Sequence, residues 1–143
     1  MRKFLVALMA LSLVSVAFSS CDNGMESTAD PVTQPIAGKT YRESTGTGDG
    51  YAQLTFHMNY KCTLIAKRDN ETPITNSSFE WWMSPNDTQV VVRYAQGAYD
   101  KTTGISLSGK TFLSGSYDAT KKMVILSGEF DGQTVTYHMK EVE

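Results

Sequence analysis

Residues 51–67 read YAQLTFHMNYKCTLIAK, and this stretch decides the fold class. Apolar or small side chains occupy every second position of each half, and most positions between them are polar. The alternating positions are Ala52, Leu54, Phe56 and Met58, followed by Tyr60, Cys62, Leu64 and Ala66. An alternation with a period of two is typical of antiparallel strands that bury one face. The stretch therefore predicts two strands joined by a tight turn at Asn59 and Tyr60.

Similar runs continue to the end of the chain, separated by turn signals rich in Gly, Pro, Asn and Asp. The further runs are 79–83, 89–94, 105–107, 111–117, 123–126 and 134–139. Asp131-Gly132, between the last two runs, is a strong hairpin signal. We therefore expect an all-β domain, an antiparallel meander of about eight to ten strands. An up-and-down barrel is favoured over a sandwich, because a closed barrel has no unpaired edge strand.

The beginning of the chain has the features of a secretory signal. Arg2 and Lys3 precede an apolar stretch at 4–18, and two serines separate this stretch from Cys21. The apolar stretch is shorter than the roughly 20 residues that a membrane-spanning helix needs. The segment Phe18-Ser19-Ser20-Cys21 resembles the lipobox of bacterial lipoproteins. In that family signal peptidase II cleaves before the cysteine, which carries diacylglycerol and a further acyl chain such as palmitate.

The lipobox resemblance implies that residues 1–20 are the lipoprotein signal peptide and that Cys21 is lipidated. The polar, acidic composition that follows predicts a flexible tether, so that 21–35 hold the lipidated cysteine and the tether, and the alternation predicts the barrel domain at 36–143. The resemblance also implies a membrane partner, bound through lipid on Cys21, and a place in the cell envelope, with the outer membrane favoured. An ordinary secretory signal is the alternative, and the membrane leaflet is left open.

Charge and cysteine content narrow the function classes further. The chain has 13 basic and 15 acidic residues, a net charge of −2, and no basic cluster. A mildly acidic protein of this kind is a poor nucleic-acid binder, so we expect no nucleic-acid partner.

Its two cysteines are Cys21 and Cys62. If Cys21 carries lipid, Cys62 has no partner for a disulfide, and we interpret it as a small buried apolar residue.

Three segments of the mature chain resemble small lipocalin-like lipoproteins of gut commensal bacteria. They are Ala37-Gly38-Lys39-Thr40-Tyr41, Leu54-Thr55-Phe56 and Asp131-Gly132-Gln133-Thr134-Val135. The resemblance implies a barrel that binds a small apolar molecule. One interpretation of the residues places Trp81 at the mouth of the barrel cavity, in contact with such a ligand. The candidate ligand-binding residues are Phe56, Trp81, Trp82, Tyr94, Phe112 and Tyr137. The same large side chains could instead fill the lumen of a small barrel, which would leave no carrier cavity.

The sequence contains no motif that indicates a catalytic residue, a cofactor or a metal site. We therefore expect a protein that is not an enzyme. Strand parity predicts that His57 and His138 face outward. Glu80 and Asp87 lie near the tryptophans, but nothing sets the separation that a glycosidase needs between two carboxylates. The glycine-rich segment 45–50 precedes no helix, so we interpret it as a connection between strands and not as a phosphate cradle.

Two alternatives to a carrier remain open. The first is a protein-interaction or enzyme-inhibitor module, since lysozyme-inhibiting lipoproteins are similar in size and 93–99 faintly resembles their loop. The second is a glycan-binding surface at Trp82, which projects outward if Trp81 faces inward. The sequence leaves the oligomeric state undetermined.

Overall fold

The structure, a computed structural model, describes residues 14–16 and 34–143. Regular secondary structure in these ranges consists of ten β-strands. The strands are β1 (Val14–Val16), β2 (Lys39–Ser44), β3 (Tyr51–Phe56), β4 (Lys61–Lys67), β5 (Ile74–Met83), β6 (Gln89–Tyr94), β7 (Ala98–Asp100), β8 (Thr111–Asp118), β9 (Met123–Phe130) and β10 (Gln133–Glu141). A search of the same ranges finds no helix that is long and apolar enough to cross a membrane.

Eight of the strands form a closed antiparallel barrel. Their order is β2-β3-β4-β5-β6-β8-β9-β10, and β10 pairs with β2 to complete the circle. Each barrel strand is therefore bonded to the next barrel strand along the chain, which is the up-and-down arrangement. This confirms the predicted all-β meander and the predicted closed barrel. β7 lies outside the barrel, in the connection between β6 and β8, and pairs with β1.

The connections define two different ends of the barrel. One end, called the closed end below, carries the short turns at 57–60, 84–88 and 119–122. A further turn at 34–38 covers this end, and its Ile36 side chain is fully buried in the core. The opposite end, called the open end, carries the connections at 45–50, 68–73, 95–110 and 131–132.

The interior follows the alternation of the sequence, with two exceptions at bulges. β3 and β4 bury every second residue without interruption. Between β6 and β8 the register shifts, and the consecutive residues Phe112 and Leu113 are both buried. A bulge adds one residue to a strand and redirects its side chain, so two neighbours can face the same side. A second register shift lies between β4 and β5.

The barrel closes at a short seam between its first and last strands. β10 and β2 share only two paired positions, Lys140 with Arg42 and Glu141 with Tyr41, whereas β10 and β9 share eight. Nearer the open end, the Glu43 carboxylate accepts a hydrogen bond from the backbone N–H of His138 at 2.9 Å. A side chain therefore bridges the two strands where the backbone ladder stops.

Two details of the predicted strands are wrong. The run 105–107 is not a strand, since its Ser106 forms only an isolated bridge with Tyr99. Met58 does not continue the buried face of β3, because it lies in the turn at 57–60 and is 46% exposed. The predicted turn at Asn59 and Tyr60 is confirmed, with Tyr60 at a φ of 67°.

Most of the predicted signal and tether lies outside the described residues, including Cys21. The described exceptions are β1, which falls inside the predicted signal at 1–20, and residues 34 and 35 of the tether. Cleavage before Cys21 would remove β1 from the mature protein. The barrel itself does not include β1, so its eight-stranded closure does not depend on that segment.

Candidate functional site

The predicted interior ligand contacts are buried and packed against one another. The exposed fraction is 0% for Phe56, 2% for Trp81 and Tyr137, and 6% for Phe112. Tyr94 is partly buried and packs against the same core. Aromatic rings that meet edge to face or offset stabilise a core by more than the burial of their apolar area alone. The barrel's own side chains thus occupy the space that a lipocalin-like carrier would offer to a ligand.

Ring contacts divide this aromatic interior into two groups. Towards the closed end, the ring centroid of Phe56 lies 5.8 Å from that of Trp81 and 5.7 Å from that of Tyr41. Towards the open end, the Phe112 ring lies 4.5 Å from Phe79, and Tyr94 and Phe130 pack on the same ring at 5.3 and 5.5 Å. These open-end contacts are Phe79–Phe112, Tyr94–Phe112 and Phe112–Phe130.

Trp81 lies at the closed end and not at the mouth of the barrel, contrary to the position expected for a ligand contact. Its indole N–H donates to the carbonyl oxygen of His57 at 2.8 Å, and its backbone N–H donates to the carbonyl oxygen of Tyr60 at 2.9 Å. Both acceptors belong to the short turn between β3 and β4. The polar atom of Trp81 is therefore already engaged in holding this turn.

Burial also changes the acidity of three tyrosines in the barrel. Desolvation, together with the nearby Asp100 carboxylate, raises the pKa of Tyr94 to about 12. Desolvation is likewise the first cause that raises the pKa of Tyr41 and of Tyr137 above the ordinary tyrosine value. All three phenols therefore keep their protons at neutral pH.

Trp82 projects from the outer face of the barrel, as strand parity predicts. It is 44% exposed and pairs in register with Val91 on β6. Next to it lies Glu80, whose side chain is only 6% exposed and forms ion pairs with Lys61 at 3.5 Å and Arg93 at 3.9 Å. We call these five residues the Trp82 surface. It combines an exposed aromatic ring with two cations and one carboxylate.

The remaining candidates for chemistry have structural roles or lie at the surface. His57 and His138 are exposed, which confirms their predicted orientation. Cys62 is fully buried, as expected, and desolvation raises the pKa of its thiol. Glu80 is held between two cations, while Asp87 is exposed in the turn between β5 and β6. Among the described residues, no group of three or more potential metal ligands comes together.

A groove at the open end was not anticipated from the sequence. It has a volume of about 430 Å³ and lies on the outer face of β2, β3 and β4. Its lining consists of Arg42, Ser44, Gly48, Asp49, Gly50, Tyr51, Lys67 and Pro73. The only sequence signal near it is the glycine-rich segment 45–50, which forms the connection between β2 and β3, as predicted. The groove is called the β2–β4 groove below.

Two hydrogen-bond systems hold the wall of this groove. The Asp69 carboxylate accepts the backbone N–H groups of Gly48 at 3.2 Å and Gly50 at 2.6 Å. In return, Asp49 accepts the backbone N–H of Asn70 at 2.8 Å. The two connections of the open end thus brace each other. A hydrogen bond from the Lys67 ammonium is the main cause that lowers the pKa of Asp49.

The glycines of this segment are required by the closeness of the two connections. A Cβ atom at Gly50 would lie 2.7 Å from Asp69 Oδ1 and 2.8 Å from the carbonyl oxygen of Thr45. A larger residue would therefore push the connections apart.

Comparisons with protein-family models, with curated proteins and with solved structures gave no match for this chain.

Proposed function

We propose that this chain is an exported lipoprotein whose barrel is a non-enzymatic protein-binding domain. In this proposal lipid on Cys21 holds it in the bacterial cell envelope, at the outer membrane, and the barrel contacts a partner protein with its outside. The lipobox-like segment at 18–21 supports the anchor. The packed interior supports binding outside the lumen, and this is the observation that carries the proposal.

The Trp82 surface is the part of the outer face best suited to a protein partner. Tryptophan and arginine are enriched among the residues that contribute most to protein interfaces, and Trp82 and Arg93 lie on neighbouring strands here. Trp82 is exposed, so its apolar area is available for burial against a partner. Glu80 lies beside the ring and forms ion pairs with Lys61 and Arg93.

Site-specific photo-crosslinking in intact cells tests this proposal. A photoreactive amino acid at Val91, beside Trp82, should give a discrete adduct, whereas one at Thr134 on β10 should not. Trp82→Ala should abolish the adduct because it removes the aromatic contact. Ile105→Ala is a matched control, since Ile105 is an exposed apolar residue (57%) at the open end. Equal adducts at Val91 and Thr134, or an adduct that survives Trp82→Ala, would contradict a partner at this surface.

A small apolar ligand at the mouth of the lumen is the second candidate. The observation that favours it is residual exposure of core residues near the open end, 6% for Phe112 and Phe130 and 8% for Val135, against 0% for Phe56. Native mass spectrometry of residues 22–143 tests it. An additional mass that is lost on denaturation would favour the carrier, whereas a bare protein mass from cells of the native host would argue against it.

A further inference from the structure

The β2–β4 groove is an open surface groove that is large enough for a small ligand and has one wall held by hydrogen bonds. Small-molecule sites in proteins usually have volumes of roughly 300–1,000 Å³, and this groove has about 430 Å³. Polar and apolar atoms contribute about equally to the surface of its lining, and the charged residues Arg42, Asp49 and Lys67 distinguish it from the aromatic lumen. The bonds between Asp69 and the 45–50 connection hold the wall in place, so a ligand would not have to order it.

Arg42 is the fixed cation of this groove. Its guanidinium carbon lies 4.1 Å from the centroid of the Tyr51 ring, so the cation contacts the aromatic side chain. Its Nε and Nη2 atoms both donate to Gln53 Oε1, at 2.9 and 2.6 Å. These contacts leave Nη1 and the second N–H of Nη2 for another acceptor. Within residues 34–143, no carboxylate forms an ion pair with Arg42.

The groove holds two cations, Arg42 and Lys67, and two carboxylates, Asp49 in its lining and Asp69 behind its wall, so its overall charge is balanced. The ammonium of Lys67 is paired with the carboxylate of Asp49, so these two charges offset each other. The Asp69 carboxylate is engaged by backbone N–H groups, whereas Arg42 forms no ion pair within residues 34–143, and the exposed Lys140 lies opposite Arg42 across the seam between β10 and β2. Both cations act at the outer face, and an anionic group on a ligand would meet their combined field.

The other lining groups suit hydroxyl groups on the same ligand. Ser44 and Tyr51 supply hydroxyls that can donate or accept, and the Asp49 carboxylate accepts only. A ligand that satisfies these groups together with Arg42 needs one anionic group and several hydroxyls. A planar guanidinium matches a carboxylate better than it matches a point charge, because two parallel N–H···O bonds can form.

We propose that the β2–β4 groove binds a carboxylated sugar, a hexuronic acid unit, at the open end of the barrel. Arg42 binds the sugar carboxylate, and Asp49 with Ser44 binds its hydroxyls. The site is separate from the Trp82 surface on β5 and β6, and it does not depend on the protein-binding proposal.

Saturation-transfer NMR on the full chain in detergent tests the site, with glucuronic and galacturonic acid as probes. Both acids should give binding signals, and glucose and galactose should bind about tenfold more weakly because they lack the carboxylate. Equal signals from acidic and neutral sugars would overturn the assignment. So would acetate that competes as strongly as the uronic acids, since it would show a site for a carboxylate alone.

Variants locate the binding within the fold. Arg42→Gln should weaken uronic acid binding by about tenfold, whereas the matched change Arg93→Gln on β6 should leave it unchanged. Ser44→Phe fills the groove from an exposed position and should abolish binding even if Arg42→Gln destabilises the barrel. Trp82→Ala should have no effect, so failure of the protein-binding proposal would not change this result. Uronic acid binding that survives both Arg42→Gln and Ser44→Phe would overturn the proposal.

Discussion

The partly buried phenol of Tyr94 predicts how stability depends on alkaline pH. A tyrosine in the unfolded chain ionises near pH 10, whereas burial raises the pKa of Tyr94 to about 12 in the folded protein. Above about pH 10 the unfolded state therefore loses a proton that the folded state keeps, and the free energy of unfolding falls as pH rises. The fall for this one group ends once pH passes the folded pKa.

Urea unfolding at a series of pH values checks this expectation. The free energy of unfolding should change little between pH 7 and 9 and then fall, by up to about 1.4 kcal/mol per pH unit for each buried tyrosine. Tyr94→Phe should make the fall less steep, because one ionising phenol is removed. Tyr99→Phe is the control at an exposed position, and it should leave the slope unchanged. An identical slope in wild type and Tyr94→Phe would contradict the argument.

Individual positions show which side chains could be predicted from local pattern. The parity of β5 correctly places Trp81 inside and Trp82 outside, and the neighbours of Cys62 correctly predict its burial. The contact of Arg42 with Tyr51 and Gln53 was not predicted. It joins residues on different strands, so it depends on register and on side-chain rotamers, and the alternation of apolar residues specifies neither.

Among the strands, β8 approaches the backbone of β9 at a point that tolerates only glycine. A Cβ atom at Gly115 would collide with the backbone carbonyl oxygen of Ile125 on β9. Backbone cannot move aside without disturbing the ladder between β8 and β9, so the close approach requires a residue without a side chain. Glycines at such points allow a sheet to curve into a small barrel.

Gly115→Ala should therefore destabilise the barrel by about 1–3 kcal/mol. Ser114→Ala is the control, because Ser114 is exposed on the same strand and its change should stay within about 0.5 kcal/mol. Chemical unfolding followed by tryptophan fluorescence measures both variants. A Gly115→Ala protein as stable as wild type would mean that β8 and β9 are not held as closely as the structure indicates.

The presence of a strand was predictable where the alternation is long. The prediction failed where strands are short or irregular. β3 and β4 alternate cleanly and were predicted almost to the residue. The run 105–107 has only one apolar residue on each side of Ser106, and the connection it belongs to folds back on β7 instead. The bulge at Phe112 was not predictable, because an extra residue in a ladder is defined by the partner strand.

At the scale of the whole molecule, we expect lipid on Cys21 to anchor the protein to the membrane. Cys21→Ala should leave the precursor uncleaved and without lipid, because signal peptidase II acts on the lipidated cysteine in the family that the lipobox resembles. Intact-mass spectrometry of membrane extracts measures this. Cys62→Ala is the matched control and should keep the lipid, since Cys62 is buried in the barrel. A Cys21→Ala mass that differs from wild type by the substitution alone would refute the anchor.

Barrel closure was predictable because the alternation continues to the last strand, and closing the sheet pairs both of its edge strands. The occupancy of the interior was not. Parity predicted which side chains point inward, and it left open whether they line a cavity or fill the lumen. Whether the interior is empty depends on the summed volumes of side chains that meet across the lumen, such as Phe79 and Phe112.

The short seam between β10 and β2 determines where the molecule comes apart. A closed barrel has no end strand to fray, so opening has to begin by breaking a ladder. This ladder has two paired positions, and beyond them the strands are joined by the side chain of Glu43 on one side and by the Val142 N–H to Thr40 carbonyl bond and the Lys39–Glu141 ion pair on the other. It also joins the two strands that lie farthest apart in the chain, so it forms only after the longest loop has closed. The last contact made in folding is then the first one lost, and both events happen beside the residues that line the β2–β4 groove.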